Sequence, residues 1–308
     1  MMVAFSNQER CTMELSDLLT FATVARCGGI TRAAGELNTV QSNVTNRIRA
    51  LETEIGVPLF ERHARGMTLT DAGRRLLPYA DRLNALSREA LASARDDGVA
   101  KGPLALGSME TTAAVRLPPL LALFHQRCPE VQLSLRTGPT AMLAEAVIDG
   151  SIDGAFVAGP IDHPDLVSTV AFKEELVLLT ARRWKNLAAL RAGTPSSGPT
   201  ILVFRTGCSY RQRLEQVMSE FGWPSATRLE FGTLDGMIGC VAADMGVTLL
   251  PRAVAQRTDQ GGAIRMHTLS GTHRRVDTLF IRRQAAHEGS ALRSFLACLK
   301  TSVLSVAA

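Results

Sequence analysis

From Pro103 to Leu299 short apolar runs alternate with helical stretches, and this rhythm limits the chain to few folds. Leu104-Ala105-Leu106 reads as a strand, followed by a helix over about Thr111–Arg127. Val131–Arg136 alternates as a half-buried strand does, Thr137-Gly138-Pro139 turns into a helix ending at Gly150, and Ala155–Ala158 reads as a buried strand. A second series follows: strand Ile201–Phe204, helix Tyr210–Phe221, strand Arg228–Phe231, helix Leu234–Ala243 and strand Val247–Leu250. Val276–Arg282 is a late strand and Ser290–Leu299 a last helix. Such alternation predicts an open α/β sheet with helices over its faces. With 308 residues, 46% of them hydrophobic, the chain has material for two or three domains.

Residues 14–70 keep a different period. Leu15, Leu18, Leu19, Ala22 and Ala25 fall near helical spacing, and Gly28-Gly29 ends that helix. Thr31–Leu37 is a short second helix and Asn38-Thr39 a tight turn. A third helix over Val40–Ile55 is stopped by Gly56 and Pro58. Leu59–Arg62 and Met67–Leu69 read as two short strands around the basic turn His63–Gly66, a wing. On the third helix Val44, Ile48, Leu51 and Ile55 share one face, which packs inward. The opposite face carries Ser42, Asn46, Arg49 and Thr53, with Gln41, Asn43 and Thr45 beside them. Amides and hydroxyls near the start of a helix read base edges in a major groove, and arginine reads guanine or neutralises phosphate. Thr31 and Arg32 would meet the backbone, and Arg62 and Arg65 on the wing would reach phosphates or the minor groove. Any surface helix carries such residues. The A-A-x-x-L helix before it and the wing after it are what point to double-stranded DNA.

Thr70 is a credible cap for a long helix through Ala94, and its apolar positions form heptads. Leu69, Leu76, Leu83 and Ala90 take one seam position; Ala72, Tyr79, Leu86 and Ser93 take the other. Alternate steps of three and four make a coiled-coil seam, hence a homodimer, although a helix packed on its own subunit shows the same pattern. Pro78 should kink it. Asp96–Gly98 through Gly102-Pro103 reads as a hinge.

The net charge of +5 allows a polyanionic partner. Six scattered cysteines, with no C-x-x-C pair, read as reduced thiols of a cytoplasmic protein. No apolar run reaches the ~18–20 residues of a membrane span, and residues 1–13 read as a loose arm rather than a signal peptide. Six histidines show no metal-ligand spacing, and no nucleophile elbow, Walker loop or dinucleotide fingerprint occurs. No metal, cofactor or catalytic activity is expected.

The segment Ile30–Ala80 resembles the winged helix-turn-helix of the LysR-type transcriptional regulators. Matching pieces are Ala33-Ala34, Leu37, Gln41, Thr45, Leu51-Glu52, Gly56, Leu59–Arg62, Leu69-Thr70 and Ala72-Gly73. Val40–Thr45 and Gly207–Arg211 look closest to the YofA/SoxR-like branch. Val40 stands where many members have a capping serine, which leaves capping to Asn38 or Thr39. The resemblance covers the chain from about Glu14. It implies a DNA-binding domain over 14–70, a linker helix over 71–95, a hinge over 96–102 and an α/β sensor like the type 2 periplasmic binding proteins. The sensor would comprise one subdomain of residues 103–180 and 276–308 and another of 181–275. It also implies a homodimer or homotetramer on an interrupted palindrome, a small-molecule effector, and RNA polymerase as a partner.

In open α/β folds ligands sit beyond strand C-terminal ends, against helix N-termini. That places Ser108, Thr111 and Thr112 after the first strand, Gly138 and Thr140 after the second, and Phe204, Cys208, Ser209 and Tyr210 after the third; Thr233 lies at another strand end. Free amides and hydroxyls there suit a carboxylate or other small anion. Each Ser or Thr singly is equally a helix cap. Arg205 and Arg211 are candidate counter-charges, whereas Glu110 would disfavour an anion if it points inward. Asp153 reads as a turn residue, and Cys208 as a plain small residue or a redox thiol. A small-molecule enzyme or a solute-binding protein is the competing reading; the first lacks a catalytic constellation and the second an export signal.

Overall fold

Left-handed glycines stop the first and third helices. Helix α1 (Leu15–Cys27) ends at Gly28 with φ 65°, and α3 (Gln41–Ile55) ends at Gly56 with φ 80°. Between them lies α2 (Ile30–Glu36). Strands β1 (Phe60–His63) and β2 (Gly66–Leu69) pair antiparallel, and α4 (Asp71–Ala94) follows. The structure, a computed structural model, describes residues 13–63, 66–259 and 261–306. Residues 1–12 of the expected arm and Ala64 and Arg65 of the wing turn lie outside the described residues.

The chain divides into two units, one ending at Arg95 and the other beginning at Asp96. Leu18, Phe21, Val24, Ala33, Val44, Ile48, Leu51 and Leu59 close the core of the first. Ile55, grouped by spacing with that inward face, stays exposed at the helix end. Glu52 Oε1 accepts the Leu59 and Phe60 amides at 2.8 and 3.2 Å, fixing β1 against α3. Gly66 touches the α1–α2 turn: a Cβ there would come within 2.6 Å of the Gly28 carbonyl. Thr70 caps α4 as expected, accepting the Gly73 amide at 3.0 Å and donating to the Pro58 carbonyl at 2.8 Å. Helix α4 continues unbroken through Pro78.

The second unit runs β3 (Gly102–Ser108), α5 (Glu110–Val115), α6 (Leu117–Arg127), β4 (Val131–Thr137), α7 (Thr140–Ile148), β5 (Gly154–Ala158) and β6 (Leu166–Ala181). It continues with α8 (Leu187–Gly193), β7 (Ile201–Phe204), α9 (Ser209–Glu220), β8 (Arg228–Phe231), α10 (Leu234–Ala242) and β9 (Thr248–Pro251). Last come α11 (Arg252–Thr258), β10 (Ile264–Thr268), β11 (Arg275–Arg283) and α12 (Ser290–Val306). Strands β4, β3 and β5 are parallel; β11 then pairs antiparallel with both β5 and β6, so the sheet is mixed. The far half of β6 pairs with β9 and β10, and β7 with β8; an Ile201–Val247 bridge links β7 to the segment entering β9.

Elements α8, α11 and β10 have no counterpart among those expected from sequence, and two further features depart from that expectation. The expected helix over Thr111–Arg127 is two helices meeting at Arg116, because Pro118 and Pro119 open the second. The 16-residue β6 was not anticipated, since Lys173-Glu174-Glu175 interrupts its apolar pattern. It is one continuous strand across the expected subdomain boundary near residue 180. Its first half pairs with β11 and its second half with β9 and β10.

Candidate functional sites

Helix α3 presents Gln41, Ser42, Asn43, Asn46 and Arg49 fully to solvent, with Thr45 half-buried. Its two arginines differ. Arg47 donates to Asp17 Oδ1 at 2.8 Å and Ser16 Oγ at 2.6 Å, tying α3 to α1. The Arg49 side chain has no hydrogen bond or ion pair among the described residues, and the residue is exposed. The Thr45 hydroxyl donates to the Gln41 carbonyl at 2.8 Å, leaving only its lone pairs to face outward. Val40 sits at the cap position and no side chain caps α3; Thr39 Oγ1 instead accepts from the side-chain Nδ2 of Asn43 at 2.9 Å. Contrary to expectation, neither Asn38 nor Thr39 is the cap; the Asn43 amide donates to the Val40 carbonyl at 3.1 Å, and the Gln41 and Ser42 amides before it are open to an anion. Thr31 and Arg32 are exposed on α2, and the Arg32 guanidinium lies over Gly28. Arg62 falls in β1.

The expected seam divides in two. Leu69, Ala72 and Leu76 are half-buried against the core of their own domain, so they are not free for a partner. Tyr79, Leu83, Leu86 and Ala90 are exposed one above another on α4; Tyr79 is 64% and Leu86 56% accessible.

In the second unit a cavity of about 210 Å³ opens at the C-terminal ends of β4, β7 and β8. Of the expected residues, Thr111, Gly138, Thr140, Phe204, Cys208 and Tyr210 line it. Ser108 and Thr112 are buried and lie outside this lining; the Ser108 hydroxyl donates to the Met109 carbonyl at 2.9 Å. Ser209 lines a neighbouring opening with Gln212 and Arg213, and Thr233 sits at the α10 cap position beside the lining Gly232. The cavity also has an apolar wall of Met109 and Pro139, which lie in the expected stretches, and of Met142 and Phe231, which do not. No polar pattern marks those residues. Gly138 is open enough for the Met142 thioether to lie over it: a Cβ there would meet Met142 Cε at 1.9 Å.

Charge in this cavity is divided. Glu110 does point inward, and its Oε1 accepts the Leu234 amide at the start of α10 at 2.9 Å. Arg211 is consumed by Glu230 at 3.1 Å and Glu215 at 3.4 Å, whereas the Arg205 guanidinium is exposed at the rim with no ion-pair partner among the described residues. Thr111 Oγ1, Tyr210 Oη and Thr278 Oγ1 are buried, and none closes a hydrogen bond of ordinary length. Burial pushes the Tyr210 phenol well up, with the Glu174 carboxylate adding to it and the Thr111 and Thr278 hydroxyls opposing. Arg116 holds that Glu174 through two bonds of 2.8 and 2.9 Å. Burial also raises the Cys208 thiol, against the pull of the Arg211 and Tyr210 amides, which favours a neutral thiol over a reactive thiolate. Asp153 accepts the Ala105 amide at 2.8 Å, a structural anchor outside the cavity lining. The described cysteines are all free, and no cluster of potential metal ligands occurs among the described residues.

A winged helix-turn-helix ahead of a two-part α/β sensor is the architecture of a ligand-responsive DNA-binding regulator. The description "Bacterial regulatory helix-turn-helix protein, lysR family" matches residues 15–74, and "LysR substrate binding domain" matches residues 97–303. The chain belongs to the LysR family of transcriptional regulators: it is a DNA-binding regulator with an effector-binding domain, and not an enzyme. It is 43% identical over 284 residues to the HTH-type transcriptional regulator GltR of Bacillus subtilis, spanning 92% of this chain and 95% of that one. It is 41% identical over 288 residues to the HTH-type transcriptional regulator YofA of Bacillus velezensis, spanning 94% and 98%. Full-length CbnR, solved in complex with its target DNA, is similar with a TM-score of 0.65 and 25% identity, covering 94% of this chain and 100% of that one.

Proposed function

We propose that the protein binds an interrupted palindromic promoter site as a dimer or tetramer and alters transcription when a small molecule fills the cavity beside Tyr210. The observation that carries this is the outer face of α3. Arg47 is withdrawn into the domain, while Asn46, Arg49 and an uncapped helix start stay free for a duplex. The exposed stripe Tyr79, Leu83, Leu86 and Ala90 supplies the seam that sets two such helices apart. Effector binding changes the angle between the halves of the sensor, and with it the contact of the assembly with RNA polymerase or the bend in the DNA. Such a protein works in the cytoplasm, where the DNA is.

A footprint on DNA upstream of the protein's own gene and its neighbour tests the reading. The expected result is a protected site with two related half-sites, and an affinity that falls steeply as salt rises. No protection at low salt by folded, dimeric protein, on these or on randomised duplexes, would overturn it.

A further inference from the structure

The effector cavity holds opposite charges that do not pair with each other. Glu110 comes from the start of α5 and reaches the Leu234 amide. Arg205 follows β7, and its Nη2 lies 3.7 Å from where a Cβ on Gly232 would stand. Both side chains therefore lean on the same short loop, Gly232–Leu234, within one lining, yet no ion pair joins them. A carboxylate offers about four acceptor sites, and the Leu234 amide takes one, so Glu110 still accepts from a ligand. Its charge repels a simple carboxylate at that wall. Arg205 in turn repels a simple amine at the rim. Beneath them Thr111 and Tyr210, both 3% exposed, close the floor with buried hydroxyls that interact with each other. The remaining lining, Met109, Pro139, Met142, Phe204 and Phe231, is apolar. The volume of about 210 Å³ lies below the ~300–1,000 Å³ usual for drug-sized ligands.

We propose that the effector is a small zwitterion with an apolar body, the chemistry of an apolar α-amino acid: its ammonium on Glu110, its carboxylate on Arg205, and its body against the methionines and phenylalanines. This rests on the cavity being the effector site. The small anion anticipated from helix N-termini gives way to it, because Glu110 already fills the α10 start.

The test is calorimetric titration of the full-length protein with the twenty L-amino acids, then with the deaminated acid and the decarboxylated amine of the best binder. One or more apolar amino acids should bind, and each single-charge analogue should bind about tenfold or more weakly. Glu110→Gln keeps an acceptor for the Leu234 amide; it should weaken the amino acid about tenfold and leave the acid unchanged or tighter. Hydrogen exchange locates the ligand, with protection expected over 109–111, 137–142, 204–210 and 231–234. An acid or amine that binds as tightly, with protection in those segments, overturns the zwitterion and leaves the effector cavity standing. Protection elsewhere overturns both. No binding by any of the twenty overturns the zwitterion.

Discussion

Arg116 and Glu174 show what a single residue does here that its neighbours in sequence do not reveal. Glu174 is 6% exposed in the middle of β6, and the bidentate guanidinium of Arg116 is its only direct ion-pair partner among the described residues. Arg116→Met leaves a buried carboxylate uncompensated and should destabilise the sensor by about 3–5 kcal/mol. Replacing both partners, Arg116→Met with Glu174→Leu, should recover most of the loss. Trp184 and Trp223 are the protein's two tryptophans and both pack in the sensor core, so fluorescence-detected urea unfolding reads this unit selectively. A double variant no more stable than Arg116→Met would contradict the argument. In the sequence the same pair was opaque: Lys173-Glu174-Glu175 looks like a solvated charge run, and nothing local says that one of the three is paired across 58 positions. The DNA face was more legible, because helical period separates Val44, Ile48 and Leu51 from Asn46 and Arg49. Only the structure separates Arg47 from Arg49. Asn46→Ala should relax base preference in a binding-site selection, whereas Arg47→Ala should act through stability of the α1–α3 contact; an unchanged preference for Asn46→Ala would count against base reading.

The heptads of α4 run from Leu69 to Ser93, but only the stretch from Tyr79 onward is free, because Leu69, Ala72 and Leu76 are already used by the core of their own domain. Periodicity gives a face and not its partner, which is why the full seam was legible and its division was not. Leu83→Glu with Leu86→Glu should convert the protein to monomers in sedimentation at micromolar concentration without loss of helical signal. Leu76→Glu should instead unfold the N-terminal domain. A dimer that survives the first pair would remove α4 as the seam. Composition marked residues 96–102 as a hinge, yet Asp96 is fastened. Its carboxylate accepts the Ser290 amide at 3.0 Å, the Ser290 hydroxyl and the Gly98 amide at 3.1 Å, and sits by Arg293 at 3.2 Å. These hydrogen bonds, that of the Ser290 hydroxyl first, hold its pKa well below the usual carboxylate range. A depressed folded-state pKa stabilises the fold above the unfolded value of about 3.9, and that contribution fades as pH falls further toward the folded value. The difference in melting temperature between wild type and Asp96→Asn should therefore shrink as pH falls below about 4. A difference that does not change over this range would refute the assignment.

For the whole molecule, assembly and DNA affinity must be coupled if two α3 helices read one site. A mild net charge of +5 is too small to explain strong duplex binding by itself, so affinity depends on how many phosphates the assembled faces neutralise. In duplex binding the logarithm of the association constant falls with the logarithm of salt at a slope of about −0.9 per phosphate contacted. A dimer engages two half-sites and a monomer one, so the Leu83→Glu, Leu86→Glu variant should show roughly half the wild-type slope. It should also lose sensitivity to the spacing between half-sites while keeping the wild-type preference within one. Fluorescence anisotropy with a labelled operator across a potassium chloride series measures all three, and a single half-site duplex supplies the reference. If the monomeric variant keeps the full slope, the phosphates lie under one subunit, and the palindrome is read by something other than the paired recognition helices. If it keeps the half slope but loses the half-site preference, α4 shapes α3 directly through the shared core residues Leu76 and Leu77. Halved slope with intact preference is the outcome that an independent wing and helix on each subunit requires.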